Sequence, residues 1–75
     1  MPNVPIPHPS FLDGCEKYRV DAGKQIYRKY DKYYTWDGLH GEIEVYNKRG
    51  FHLMVLDPYG KKIKDAVKGR NINVR

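Results

Sequence analysis

The chain is poor in features that would staple it together or anchor it. It has one cysteine, Cys15, so no internal disulfide can form, and a disulfide-dependent secreted scaffold is the wrong class. A fold that works in a reducing compartment suits it better. Cys15 has no second cysteine to join in a Cys/His metal set. His8, His40 and His52 are widely spaced, so metal-ligand spacing is absent. No apolar run is long enough to cross a membrane. The start, Met1 to Pro9, has no basic n-region and no continuous apolar stretch, which speaks against a signal peptide. Seventy-five residues leave no room for a second domain, and there is no internal repeat. Negative charge is also scarce: nine Asp and Glu face fourteen Lys and Arg, a net charge of +5 that suggests a polyanionic partner.

What is present is proline at the start, then tyrosine and strand-forming residues. Four of the first nine residues are proline, which favours an extended arm over residues 1–9 and leaves one domain over 10–75. Ser10-Phe11-Leu12-Asp13 carries a helix-capping pattern, and Gly14 stops it, so a short N-terminal helix is expected. Glu16 to Tyr30 is ambiguous: Tyr18 and Val20 alternate like a strand and Asp21 to Lys24 reads as a turn, yet Ile26 and Tyr30 fit a helical face. Tyr33 to Trp36, Gly41 to Tyr46 and Phe51 to Leu56 read as strands, the last covered on both faces. Asn47 to Gly50 is a hairpin loop and Asp57 to Gly60 a turn. Lys61 to Lys64 is a basic edge strand, and the alternating tail from Gly69 to Arg75 can add a last one. The expected fold is mainly β (α+β). It is a single small domain with a strongly twisted antiparallel sheet of about five strands behind a short helix. Trp36, Ile43, Val45, Leu53 and Val55 are its core candidates.

The strand beginning at His40 carries the chemistry. Strict alternation puts His40, Glu42, Glu44 and Tyr46 on one face and Gly41, Ile43 and Val45 on the other. An imidazole and two carboxylates in a basic chain are the parts needed to cut RNA, which carries its own nucleophile. A base takes the 2′-hydroxyl proton, an acid protonates the departing 5′-oxygen, and a cation stabilises the phosphate. The products are a 2′,3′-cyclic phosphate and a 5′-hydroxyl. Glu44 suits the base, His40 the acid and Arg70 the phosphate clamp, with Asp37 placed to orient His40. On a regular strand, however, His40 and Glu44 lie roughly 13 Å apart between Cα atoms, at about 3.3 Å per residue. A twist or bulge at Gly41 is therefore expected; without one, Glu42 is the better-placed base. Chemistry leaves the two glutamates as rivals. The plain alternative is that this face is only solvated polar surface. His52 reads as a half-buried strand residue or cross-strand partner, and Cys15 as a small apolar residue.

The run Tyr34-Thr35-Trp36-Asp37-Gly38-Leu39-His40-Gly41-Glu42-Ile43-Glu44-Val45-Tyr46 resembles the signature of the cytotoxic ribonuclease domain of the ribosome-inactivating E-type colicins. Downstream, His52-Leu53, Asp57-Pro58 followed by Gly60, and Arg70-Asn71-Ile72 recur in the same order and at nearly the same distances. The similarity covers roughly the last forty-five residues and fades before Lys32. It implies a cofactor-free endoribonuclease that cuts 16S ribosomal RNA once, in the decoding site, and stops translation in the bacterial cytoplasm. The family's catalytic Asp, His and Glu fall on Asp37, His40 and Glu44, and its essential Arg on Arg70. By this analogy Glu44 is the base and His40 the acid, with Glu42 and Tyr46 as supporting, substrate-binding residues. The implied partners are the ribosome and a small acidic immunity protein or antitoxin, with no membrane and a monomer when free. Gly69 stands where the family has a basic residue, the stretch up to Arg75 is shorter than the family's basic tail, and the proline-rich start resembles no translocation or receptor-binding domain. A free-standing toxin and a domain cut from a larger bacteriocin both fit this expectation. Two other functions compete: a non-catalytic RNA- or ribosome-binding module, or the same nuclease chemistry on transfer or messenger RNA.

Overall fold

The computed structural model describes residues 3–74; Met1 and Pro2 of the arm and Arg75 of the tail lie outside the described residues. Six strands follow one another as a simple antiparallel meander, each bonded to the next: β1 (Glu16–Asp21), β2 (Lys24–Lys29), β3 (Lys32–Asp37), β4 (Glu42–Tyr46), β5 (His52–Leu56) and β6 (Lys62–Asp65). Two of the six, β1 and β2, come from the ambiguous segment before Tyr30, which forms a hairpin of its own. Ala22 and Gly23 form its two-residue loop between Asp21 and Lys24, both with positive φ (51° and 79°), the turn geometry that matches strand twist. The expected helix is a single 3₁₀ turn, Phe11–Gly14. Its capping box is as the sequence predicts: Ser10 Oγ accepts from Leu12 N–H and Asp13 accepts from Ser10 N–H. Extended backbone at Cys15 ends the turn before it can lengthen. The expected last strand is not formed among the described residues either, where the tail contributes one isolated bridge, Phe51 to Asn71.

Both faces of the sheet are used. Directly opposed residues in an antiparallel pair share a face, so the registers sort the side chains. Tyr34, Val45 and Met54 form one row, and Trp36, Ile43 and Leu56 the next. These meet Ile6, Phe11, Leu12 and Cys15 from the N-terminal segment to make the apolar core. Ile43 and Val45 are buried there as expected, while Trp36 and Leu53 are half-buried against it. Val55 is buried too, but in the opposite row, Ile26, Thr35, Glu44, Val55 and Lys64.

Two segments without regular structure close these faces. The proline-rich arm packs against the domain: Val4 N–H donates to Gly38 O (2.7 Å) and Trp36 Nε1–H donates to Val4 O (2.8 Å), while the 3₁₀ turn that follows is held by Phe11 N–H donating to Pro58 O (2.8 Å). Past β6, the chain turns at Gly69 and returns as a strap over the second face. His52 N–H donates to Arg70 O (3.1 Å), Ile72 N–H donates to Gly50 O (2.8 Å), and the Tyr18 hydroxyl donates to Val74 O (2.9 Å). The strap thus runs from β5 to the first strand of the sheet.

Candidate active site

The site is built at the turn between β3 and β4. Asp37 ends β3, and the chain turns through Gly38 to Gly41 before β4 begins at Glu42. Asp37 Oδ1 accepts the backbone N–H of Leu39 (3.0 Å) and of His40 (3.3 Å), and Gly41 N–H donates to Asp37 O (2.8 Å). A short carboxylate accepting from the second and third residues after it is what bends a chain this way. Gly41 takes φ 67°, where a glycine is least strained. His40 is therefore in the turn and not on the strand face. This corrects the alternation read from the sequence, and a full turn replaces the expected bulge at Gly41. Glu42, Glu44 and Tyr46 do share one strand face, opposite Asp37, Thr35 and Tyr33.

Asp37 Oδ2 lies 2.7 Å from His40 Nδ1. That contact assigns the Nδ1 proton to the shared bond and leaves Nε2 of this exposed ring for a reacting group. Burial alone pushes the Asp37 carboxyl up, but it is overcome by the hydrogen bonds from the His40 ring, the His40 backbone and Leu39, which hold it below the usual carboxylate value.

Glu44 has a different setting. Its side chain is 5% exposed, an unusual place for a carboxylate, and it is paired with the Arg70 guanidinium through Nη1 and Oε1. Arg70 is itself 47% exposed, so the rest of its planar fork faces solvent. On the other side, His52 Nε2 lies 3.1 Å from Glu44 Oε1, although its N–H points off the line of a full hydrogen bond. His52 Nδ1 accepts the backbone N–H of Val67 (2.8 Å), so the proton resides on Nε2 and faces the carboxylate. Burial pushes the His52 imidazole below its ordinary value; the Glu44 charge opposes this and Arg70 adds to it.

His52 reaches the site through a register shift. Ile43, Glu44 and Val45 pair regularly with Leu56, Val55 and Met54, but Tyr46 pairs with His52 instead of Leu53. Leu53 is the extra residue of a bulge. Without that bulge, His52 would face the apolar core and Leu53 the carboxylates, because a one-residue slip exchanges the faces. The ring sits edge-on to Tyr46 at 5.4 Å. Burial, aided by the Glu44 charge, pushes the Tyr46 phenol up, so it stays protonated as a donor. Glu42 is 16% exposed and pairs with Lys64 Nζ at 3.0 Å, reaching past Val55 from β6.

Two adjoining clefts, of about 360 Å³ and about 140 Å³, open on this face. The residues common to both are Asp37, His40, Glu44 and Arg70. Glu42 lines only the smaller and Tyr46 only the larger. All six candidates are thus brought to one place, with His52, Lys64 and Lys24 added. Sequence reasoning set His52 aside as a cross-strand partner and treated Lys64 as a charged edge; only the bulge and the six-strand register reveal their contacts with the glutamates. The arrangement offers a fixed imidazole, a buried carboxylate and a half-free guanidinium around one cavity, which is a set for proton transfer beside an anion.

Asp37, His40 and Glu42 also each offer a ligand atom within 4.8 Å of the others, so among the described residues they are the ones that could hold a metal ion. Sequence spacing showed no such set because the turn at Gly38 to Gly41 brings them together. Within this set, Asp37 and His40 already share a hydrogen bond.

A family model described as Cytotoxic matches residues 6–73, which reaches well upstream of the motifs concentrated after Lys32. Comparison with curated proteins and with solved structures gives no match.

Proposed function

Because the chain belongs to the Cytotoxic family, the colicin E3-type cytotoxic domain, and so to the nuclease toxins, we propose that it is a metal-independent endoribonuclease that cuts 16S ribosomal RNA at the decoding site and inhibits translation. One observation carries this reading: Asp37, His40, Glu44 and Arg70 are the residues shared by both clefts of the second sheet face.

Each group has a task that its setting suits. Glu44, already desolvated, takes the 2′-hydroxyl proton as the oxygen attacks the adjacent phosphorus. His40, held through Nδ1 by Asp37, delivers a proton from Nε2 to the leaving 5′-oxygen. The phosphate draws the exposed nitrogens of Arg70, whose partial release from Glu44 strengthens the carboxylate as a base. Glu44 serves as base better than Glu42, since it lines both clefts together with His40 and Arg70, whereas Glu42 lines only the smaller and pairs with Lys64. Tyr46 donates to substrate, and the net charge of +5 favours both the RNA and an acidic immunity protein or antitoxin. The site of action is the bacterial cytoplasm, where ribosomes are. No described helix is long and apolar enough to cross a membrane.

The test is to incubate the protein with intact ribosomes in EDTA and map RNA ends by primer extension. A single new end in the small-subunit RNA, bearing a 2′,3′-cyclic phosphate, is expected. His40→Ala and Glu44→Ala should each lower its yield by about a hundredfold or more. Salt-dependent ribosome binding with no new end would instead identify a binding module. New ends in transfer or messenger RNA alone would move the target.

A further inference from the structure

Beside the catalytic face lies a wider cleft of about 660 Å³ that none of the roles above uses. It is lined by Lys48, Arg49 and Phe51 of the β4–β5 loop and by Ile72, Asn73 and Val74 of the strap. Phe51 is 53% exposed, a large ring left in water on a chain this small. No described carboxylate pairs with Lys48 or Arg49, whereas Lys64 and Arg70 on the catalytic face do have such partners. Ile72 lines this cleft and the larger catalytic cleft alike, so the two are neighbours on either side of one residue of the strap.

We propose that this cleft is a nucleotide-binding subsite, in which Phe51 stacks on an unpaired base of the RNA while Lys48 and Arg49 hold its flanking phosphates. The proposal rests on the nuclease reading and deepens it by saying where the strand runs once it leaves the scissile phosphate. A single-stranded nucleic acid offers just this alternation of flat apolar faces and anions, and an exposed aromatic between cations is its usual receptor. The backbone holds the platform still. Phe51 N–H and Arg49 N–H both donate to the Asn47 side chain (3.0 and 2.9 Å), and Gly50 O accepts from Ile72 N–H. A ring on a fixed loop pays little entropy to stack.

The experiment measures equilibrium binding of a single-stranded 2′-O-methyl RNA oligomer, which lacks the nucleophile and cannot be cut. Phe51→Ala is expected to weaken binding by about tenfold or more, the loss of one base stack, and Phe51→Tyr to retain it. Lys48→Gln and Arg49→Gln should each reduce the dependence of log affinity on log salt by about one unit or slightly less. Unchanged melting of the variants establishes that they fold. If the wild type binds the oligomer and cuts RNA but Phe51→Ala binds equally well, the subsite is wrong and the nuclease stands. If the wild type neither binds nor cuts RNA, both readings fail together.

Discussion

His52 shows how one side chain can serve by what it accepts. Its Nδ1 takes the Val67 N–H and thereby commits Nε2–H to the buried Glu44. Removing the ring in His52→Ala orphans a backbone donor and takes a polar neighbour from a desolvated carboxylate, a loss of about 1–3 kcal/mol. Burial of the same ring makes stability depend on pH. The folded ring has a lowered pKa, so between that value and the ordinary 6.5 the unfolded chain binds the extra proton. The contribution is present in full above about pH 6.5 and drains away as the pH falls toward the lowered value. Urea unfolding at pH 7.5 and 5.5 should show a larger drop for the wild type than for His52→Asn, whose amide oxygen can still accept from Val67. Equal drops in the two proteins would show that His52 is not the titrating group. Asp37 acts in a lower window: its depressed pKa contributes stability above about 3.8, lost as the pH falls further.

At the scale of elements, the turns decide which strands meet and the irregular segments decide what the strands carry. Gly50 takes φ 89°, and a Cβ there would stand 2.2 Å from the backbone oxygen of Ile72. Gly23 takes φ 79° with nothing within 4 Å of the same position. Gly23→Ala should therefore cost only the backbone term, about 1–2 kcal/mol, and leave cleavage intact. Gly50→Ala should cost more in thermal melting and also lower cleavage, because the strap that carries Arg70 must move. Equal effects from the two would mean that the strap does not control the site. The arm acts similarly from the opposite side. Trp36→Phe removes the bond to Val4 O and should cost about 1 kcal/mol. It should also slow cleavage, since Val4 holds Gly38, the neighbour of Asp37. Local chemistry explains what the sequence disclosed here. The Ser10 cap, the Asn47 to Gly50 loop and the Asp57 to Gly60 turn were readable because their hydrogen bonds lie within five residues. The turn of the β1–β2 hairpin, Asp21 to Lys24, was readable too, but its second strand was not, because Ile26 and Tyr30 also fit one face of a helix.

Across the whole molecule, a locally connected meander is completed by contacts that are far apart in sequence. Each strand pairs only with its chain neighbours, whereas Arg70 reaches Glu44 over 26 positions and Tyr18 reaches Val74 over 56. This explains why the acid–base residues could be named from one short run while their working geometry could not. Asp37, His40 and Glu44 are close in sequence. The bulge at Leu53, the inward turn of His52 and the reach of Lys64 to Glu42 follow from register and strap together. A chain shortened to end at Lys68 should keep its β-sheet circular dichroism but melt at lower temperature and cut no RNA, because the strap and the phosphate-binding cation are both gone. Wild-type cleavage by that chain would remove Arg70 from the reaction.

The strap is held over the site by two backbone bonds, from His52 N–H to Arg70 O and from Ile72 N–H to Gly50 O. Those two amide protons exchange with solvent only when it lifts. Their protection factors therefore measure, without any substrate, how often the assembled site comes apart. A pair of matching exchange rates, slower than the open loops and faster than the centre of β4, would identify the opening of the strap as one cooperative event and date each loss of competence in the resting protein.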